Sequence, residues 1–266
     1  MGRIIAIANQ KGGVGKTTTS INLAASLARL GYRTLIVDLD PQANSTSGLG
    51  LSAEEPALSL YEVLLGSAQV WEAIVPTQTQ GLEVLVSAPR LFGAEIELVP
   101  VQGREKVLRG HLMPLAHRYN YILIDCPPSL GLLTVNGLTA AHSVLVPMQC
   151  EYYALEGLSQ LLQAVRLVQE SLNPSLRVEG VLLTMYDGRL TLSQQVAEEA
   201  KRFFGERIFS TVIPRNVRLG EAPSFGKPAV VYDPTCAGAV SYMNLAKEVA
   251  NHGKEGTGQR LESAHP

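Results

Sequence analysis

The chain has 266 residues, 46% hydrophobic and 17% charged, and a formal net charge of −2. That is enough material for one large core or two small ones, and the charge excludes a polycationic chain, so any nucleic-acid contact needs a local patch. The three cysteines, Cys126, Cys150 and Cys236, are odd in number and widely spaced, so neither a disulfide framework nor a zinc site is indicated.

Taken in order, the first apolar run is Ile4–Ala8, reached from Met1–Arg3 without a signal-peptide pattern, so a soluble cytoplasmic chain is expected. It is followed by KGGVGKTT at residues 11–18 and then by the helical pattern Thr17–Leu30. Strand, glycine-rich turn and helix in that order are the context of a phosphate-binding loop. Gly12, Gly13, Val14, Gly15, Lys16, Thr17 and Thr18 would surround a polyphosphate with backbone N–H groups and the positive end of the helix. Lys16 is expected to reach the β- and γ-phosphates, and the Thr17 hydroxyl to ligate Mg²⁺. The first glycine of the usual pattern is replaced by Gln10, and a second cation, Lys11, follows it. An extra charge beside phosphates matters where charge neutralisation is most of the catalysis.

Further candidate strands are Thr34–Val37, Leu82–Val86, Tyr121–Ile124, Ser143–Pro147, Val178–Thr184 and Ile208–Val212. Helical patterns cover Arg104–Arg118, Leu155–Leu172, Leu192–Phe204 and Ala237–Asn251. Near-continuous apolar strands alternating with helices predict an α/β, doubly wound, mostly parallel sheet with helices on both faces. With no repeat and no long linker, residues 1–251 read as a single domain, and the polar residues 252–266 as a disordered tail. The segment Ala43–Leu60, rich in Ser, Gly and Ala, reads as a functional loop.

Ligands in this architecture sit at the carboxyl ends of strands. The second strand ends in VDLDPQ, so Asp38 and Asp40 are candidates to position water or support a metal, Asp40 the better catalytic one and Asp38 the structural one. The strand YILID ends in Asp125, the expected Mg²⁺-side aspartate, acting directly or through water. Farther on, Pro214 and Asn216 can bracket an adenine ring. Arg215 and Arg218, with Arg189, Lys201, Arg202 and Lys227, offer either a local basic patch or a scattered solvated surface.

The segments NQKGGVGKTTTSINLAASLA, VDLDPQANSTSGLG, IDCPPSLGLLTVNGL, EYYALEGLSQLL and VIPRNVRLGEAPSFGKP together resemble the ParA family of partitioning ATPases, above all its short chromosomal Soj branch. The resemblance spans about residue 2 to residue 250. It implies a deviant Walker A P-loop NTPase that binds ATP and Mg²⁺, with Lys11 reaching the nucleotide of a second subunit in a sandwich dimer. It further implies that Lys16 and Thr17 serve phosphate and magnesium, that Asp40 is catalytic, and that Asp125 stands on the metal side. Arg189 and Arg218 match positions that bind double-stranded DNA without sequence preference, and the implied partner is a ParB-type centromere-binding protein whose basic N-terminal peptide stimulates hydrolysis. Such a protein is cytoplasmic and nucleoid-associated. The absence of an N-terminal helix-turn-helix domain argues against operator repression. Three rivals share parts of the pattern. A MinD-type membrane ATPase ends in a lysine-rich amphipathic helix, whereas this tail has one leucine, Leu261. A relative of the nitrogenase iron protein needs cluster cysteines, and the flanks of Cys126 and Cys150 do not resemble that family. A ParA-like positioner of another cargo stays open, because cargo choice lies with an adaptor.

Overall fold

The structure, a computed structural model, describes residues 2–255 apart from residues 53, 55, 152 and 153. Among them seven strands form one sheet: β1 Arg3–Ile7, β2 Thr34–Asp38, β3 Ile74–Pro76, β4 Leu82–Leu85, β5 Tyr121–Asp125, β6 Ser143–Gln149 and β7 Arg177–Thr184. Their order is β3-β4-β2-β5-β1-β6-β7, and every pairing is parallel except that of β3 with β4. The helices are α1 Lys16–Arg29, α2 Asn44–Gly48, α3 Leu60–Leu64, α4 Leu91–Glu97, α5 Val107–Leu112, α6 Leu132–Ala140, α7 Ala154–Ser171, α8 Thr191–Phe204, α9 Val217–Glu221, α10 Ala229–Tyr232 and α11 Ala237–Glu255.

The strands are apolar on both sides because each feeds two cores. Ile4 and Ala6 join Leu35 and Val37 on one face, while Ile5 and Ile7 join Ile36 on the other. The second core is closed by Leu23 and Leu27 of α1 and by Tyr242, Leu245 and Val249 of α11. Each such fully buried side chain stabilises the fold by about 1.5–3 kcal/mol. Helix α1 stops where Gly31 takes φ +90°. The Gly31 and Tyr32 N–H groups donate back to Ala28 O (2.9 Å) and Leu27 O (3.1 Å), the paired bonds of a Schellman ending. The doubly wound arrangement is as the sequence predicts. Strand β1 lies between β5 and β6, and the chain leaves it toward β2 but later returns on the β6 side. Its carboxyl end is therefore the topological switch point, and residues 8–15 emerge there.

Three local expectations change. Ile208–Val212 is not a strand. Phe209 N–H donates to Val181 O and Ile213 N–H to Leu183 O, but Ser210 and Thr211 donate to the Glu248 carboxylate instead of continuing the ladder. Residues 104–118 form α5 between two 3₁₀ turns rather than one helix, since Pro114 has no N–H to donate within the second turn. The loop predicted over Ala43–Leu60 contains α2. Helix α6 escapes a periodicity search because it is apolar and buried nearly all round. Helix α11 runs to Glu255, and the rest of the expected disordered tail lies outside the described residues, as does part of EYYALEGLSQLL.

Candidate active site

The loop after β1 is shaped for a polyphosphate. Gly13 and Gly15 take φ of +74° and +87°, which L side chains rarely adopt. Apart from the tight turn at Gly12–Gly13, the N–H groups from the loop to Thr18 have no acceptor among the described residues; the first bond of the helix is Thr19 N–H to Gly15 O. Helix α1 has neither a side-chain cap nor an acidic residue in its first turn. Several orphan donors and the positive end of a 14-residue helix therefore converge on one place, which fits a bound phosphate chain. Lys16 is only 7% exposed, and its Nζ donates to the Lys11 carbonyl at 3.0 Å, folding across the loop. Burial lowers its pKa, opposed by the charges of Asp125 and Asp40.

Three carboxylates meet this loop from the carboxyl ends of β2 and β5. Asp125 is fully buried and takes hydrogen bonds from Ser20 Oγ of α1 (2.9 Å) and Ser45 Oγ of α2 (2.7 Å). Burial raises its pKa to about 6 although those hydroxyls, with Thr17, favour the charged form. Asp38, also fully buried, accepts the backbone N–H (2.7 Å) and hydroxyl (2.8 Å) of Thr46. Its pKa is driven up to about 8, first by burial and then by Asp125. Asp40 is held otherwise. Its Oδ1 accepts Gln42 N–H at 2.9 Å and its carbonyl accepts Ser87 Oγ at 2.7 Å, which leaves carboxylate capacity free at the site. Ser20, Ser45 and Thr46 were not singled out from sequence. Hydroxyl residues are common in turns and first helical turns, and only tertiary packing brings these three to the carboxylates.

Pro214 and Asn216 line a cavity of about 190 Å³ with Gly15, Thr18, Thr184 and Met185. The loop is joined to that cavity by Thr184 Oγ1, which donates to Val14 O at 2.8 Å. Asn216 also caps α9, accepting Arg218 N–H at 3.0 Å, so one side chain serves the cavity wall and the arginine segment. Lys11 Nζ pairs within the chain with Glu151 at 3.2 Å. The two expected DNA contacts also carry carboxylates. Arg189 is 89% exposed and donates through Nε (2.9 Å) and a terminal nitrogen (2.7 Å) to Asp187. Arg218 donates to Glu221 at 2.6 Å and lies 3.5 Å from Asp233.

The AAA domain family matches residues 2–178. The sporulation initiation inhibitor protein Soj of Bacillus subtilis is 58% identical over 253 residues, which cover 95% of this chain and all of that protein. The chromosome partitioning protein ParA of Caulobacter vibrioides is 51% identical, covering 95% of this chain and 96% of its own. This chain belongs to the Soj/ParA family of chromosome-partitioning ATPases. Among solved structures, cobyrinic acid a,c-diamide synthase from Mycobacterium smegmatis with bound ADP and magnesium superposes with a TM-score of 0.86 at 38% identity, over 99% of this chain and all of that one. The septum site-determining protein MinD of Pyrococcus horikoshii, complexed with Mg-ADP, gives 0.80 at 28% identity over 97% and 99%. Family membership and the nucleotide and magnesium bound in these solved structures give ATP and Mg²⁺ as the ligands, and the orphan N–H donors fit the phosphate chain. Among the described residues, no helix is long and apolar enough to cross a membrane.

Proposed function

We propose that this Soj/ParA ATPase is an ATP-driven switch for chromosome segregation. In this reading ATP is held by Gly12–Thr18, with its base in the cavity bordered by Pro214 and Asn216. Mg²⁺, when bound, neutralises charge on the transferring phosphoryl group. The residues suited to hold it are Thr17 and, through water, Asp125, whose two oxygens are already engaged by Ser20 and Ser45. Lys16 bears on the phosphates. Asp40 is the catalytic carboxylate that orients the attacking water.

Two ATP-bound subunits then close face to face, and Lys11 exchanges Glu151 for the nucleotide of the partner. That pair is solvent-accessible on both sides, so breaking it costs little. Dimer formation doubles the surface carrying Arg189 and Arg218, and two-site attachment raises the affinity for nonspecific double-stranded DNA well above that of one subunit. A ParB-type partner stimulates hydrolysis and releases the dimer, and the protein works in the cytoplasm on the nucleoid.

The observation that carries this reading is the convergence of a buried Lys16, the loop and first-turn N–H groups that find no acceptor among the described residues, and the Ser-bonded Asp125 at the sheet's switch point. The test is co-sedimentation with nonspecific DNA and with anionic liposomes, with and without ATP. ATP-dependent pelleting with DNA alone is expected, and pelleting with liposomes alone would overturn it in favour of a MinD-type membrane switch.

A further inference from the structure

At the amino ends of the strands, away from the phosphate loop, two cavities of about 560 and 350 Å³ adjoin. Arg33, Thr79, Gln80 and Gly81 line both, so the two form one elongated cleft beside the starts of β2 and β4. The larger cavity has the size of a small-molecule site. Helix α1 starts at Lys16 in the phosphate loop and ends at Arg29 on the cleft wall, about 20 Å farther on at 1.5 Å per residue. The cleft is therefore a separate place from the nucleotide site.

Its lining is rich in donors that the fold leaves unused. The guanidinium groups of Arg33 and Arg118 make no hydrogen bond or ion pair among the described residues, and both bear electrostatically on the Tyr119 hydroxyl. Arg33 is pinned at its main chain, where its N–H donates to Asn120 Oδ1 and its carbonyl accepts Asn120 N–H, each at 2.8 Å. Arg29 spends one terminal nitrogen on the Val230 carbonyl at 3.0 Å. Thr79 is only 7% exposed, and its hydroxyl has no partner among the described residues. A buried hydroxyl without a partner is costly unless a ligand completes it. Next to it, the turn closed by Leu82 N–H on Thr79 O (3.0 Å) carries Gly81 at φ +82°, and the N–H groups of Gln80 and Gly81 stay free. Successive free N–H groups in a turn make a concavity for an anion. Against three arginines the lining sets the carboxylate of Glu83, which accepts the Tyr119 hydroxyl.

These donors select a ligand class. Two guanidinium forks, turn N–H groups and a hydroxyl outnumber what one carboxylate can accept, whereas a phosphate monoester brings three terminal oxygens and more charge. The cations also stand along the length of the cleft: Arg29 on the larger cavity, Arg33 on both and Arg118 on the smaller. An elongated ligand with an anionic group toward each end matches that spacing, its middle lying against Ala28, Tyr32 and Val231.

We propose that this cleft is a second ligand site, for a small organic molecule carrying two phosphate groups, with Arg33 and Arg118 as its principal anchors. The test uses the full chain with its phosphate loop filled by ADP and Mg²⁺. Fructose 1,6-bisphosphate, adenosine 3′,5′-bisphosphate and inorganic phosphate are titrated by calorimetry, and arginine labelling by phenylglyoxal is read by peptide mass spectrometry. A bisphosphate is expected to bind once per chain, at least tenfold more tightly than inorganic phosphate, and to protect Arg33 and Arg118 from labelling. The better of the two bisphosphates tells a sugar phosphate from a nucleotide as the source. Arg33→Gln/Arg118→Gln is expected to weaken binding by about a hundredfold, since each charged hydrogen bond contributes about tenfold or more. Both side chains are exposed and unpaired, so its basal hydrolysis and melting temperature should match wild type. Lys16→Ala should keep bisphosphate binding, and if it abolishes binding the ligand sits in the phosphate loop and the proposal is overturned. Failure of both bisphosphates to bind overturns it, and so does inorganic phosphate binding equally well. Wild-type labelling decides even if the double variant does not fold: a bound bisphosphate that leaves Arg33 and Arg118 unprotected overturns the site. Protection by duplex DNA in place of either bisphosphate would assign the two arginines to the DNA surface and overturn it as well.

Discussion

Asp38 and Asp125 are register partners across the parallel strands β2 and β5, two fully buried carboxyl groups side by side at the end of the sheet. They are not equivalent. Asp125 receives hydroxyl donors from α1 and α2 and titrates near 6, whereas Asp38, bonded by Thr46 alone on Oδ2, is pushed to about 8. Burial raises both, and the neighbouring Asp125 raises Asp38 further, so Asp38 is the carboxyl group that holds a proton more readily. Environment alone separates the two roles, as it does where paired carboxyl groups divide acid and base duties.

A pH dependence follows. The folded chain keeps a proton on Asp38 that the unfolded chain releases above about pH 4. The resulting stabilisation is complete below that pH and is lost as pH rises toward 8 through the folded-state value. In nucleotide-free chains the wild type should lose stability with a slope approaching about 1.4 kcal/mol per pH unit for one proton. Asp38→Asn keeps a carbonyl for Thr46 and removes the titration, so its slope between pH 5 and 8 should be shallower. Denaturant titrations at several pH values measure both, and parallel slopes would place the proton elsewhere.

Gly12 offers a cleaner probe of dimer formation than the charged residues around it. Its φ is not in the left-handed region, and a Cβ built there meets nothing within 4 Å. The fold thus leaves open space where a side chain at this position begins, and an effect of valine here is expected from something that approaches from outside. Gly12→Val should melt within about 1 °C of wild type and still bind ATP, yet remain a single chain on size exclusion with ATP. An ATP-dependent dimer of this variant would move the contact surface away from the loop.

Asp40 and Lys16 should separate turnover from nucleotide engagement. Asp40 is bonded mainly through backbone groups, so its removal leaves the Asp38–Asp125 arrangement in place. Asp40→Ala should bind ATP and DNA but lose hydrolysis by about a hundredfold or more, accumulating as the DNA-bound form. Lys16→Ala removes the cation that is buried against the loop, so it should lose ATP-dependent DNA binding as well. Phosphate release together with DNA pelleting distinguishes the two variants. Wild-type turnover in Asp40→Ala would assign the water to another residue.

The sheet and the phosphate loop were legible because their chemistry is local. KGGVGKTT between a strand and a helix has few other uses, and apolar strands alternating with helices have one common packing. What stayed hidden depends on contacts between distant segments. Ile208–Val212 has the composition of a strand, yet Glu248 on α11 takes two of its N–H groups. Helix α6 lacks an amphipathic period because it is surrounded. Ser20 and Ser45 lie 25 residues apart in sequence and meet only at Asp125. Asp187, two residues before Arg189, is the sharpest omission, since a carboxylate at that spacing in a turn is an evident competitor for the guanidinium.

That competition shapes the prediction for DNA. Each arginine is expected to neutralise about one phosphate, so Arg189→Ala and Arg218→Ala should each flatten the salt dependence of ATP-dependent DNA binding by about one unit of slope per subunit. Loss should be equal for unrelated sequences, because phosphate contacts carry no base information. Before either arginine can meet a phosphate it must leave its own carboxylate: Asp187, whose pKa is held down to about 2 by the Arg189 bonds, or Glu221 with Asp233. Replacing the competitors should therefore act in the opposite direction. Asp187→Asn and Glu221→Gln should tighten DNA binding several-fold at a given salt concentration, with basal hydrolysis unchanged, since neither residue touches the phosphate loop. Fluorescence anisotropy on two unrelated duplexes at four salt concentrations gives all of these values. Unchanged affinity and slope in both arginine variants would move DNA binding to another part of the surface. Weaker binding in Asp187→Asn would mean that Asp187 positions Arg189 for the phosphate instead of competing with it.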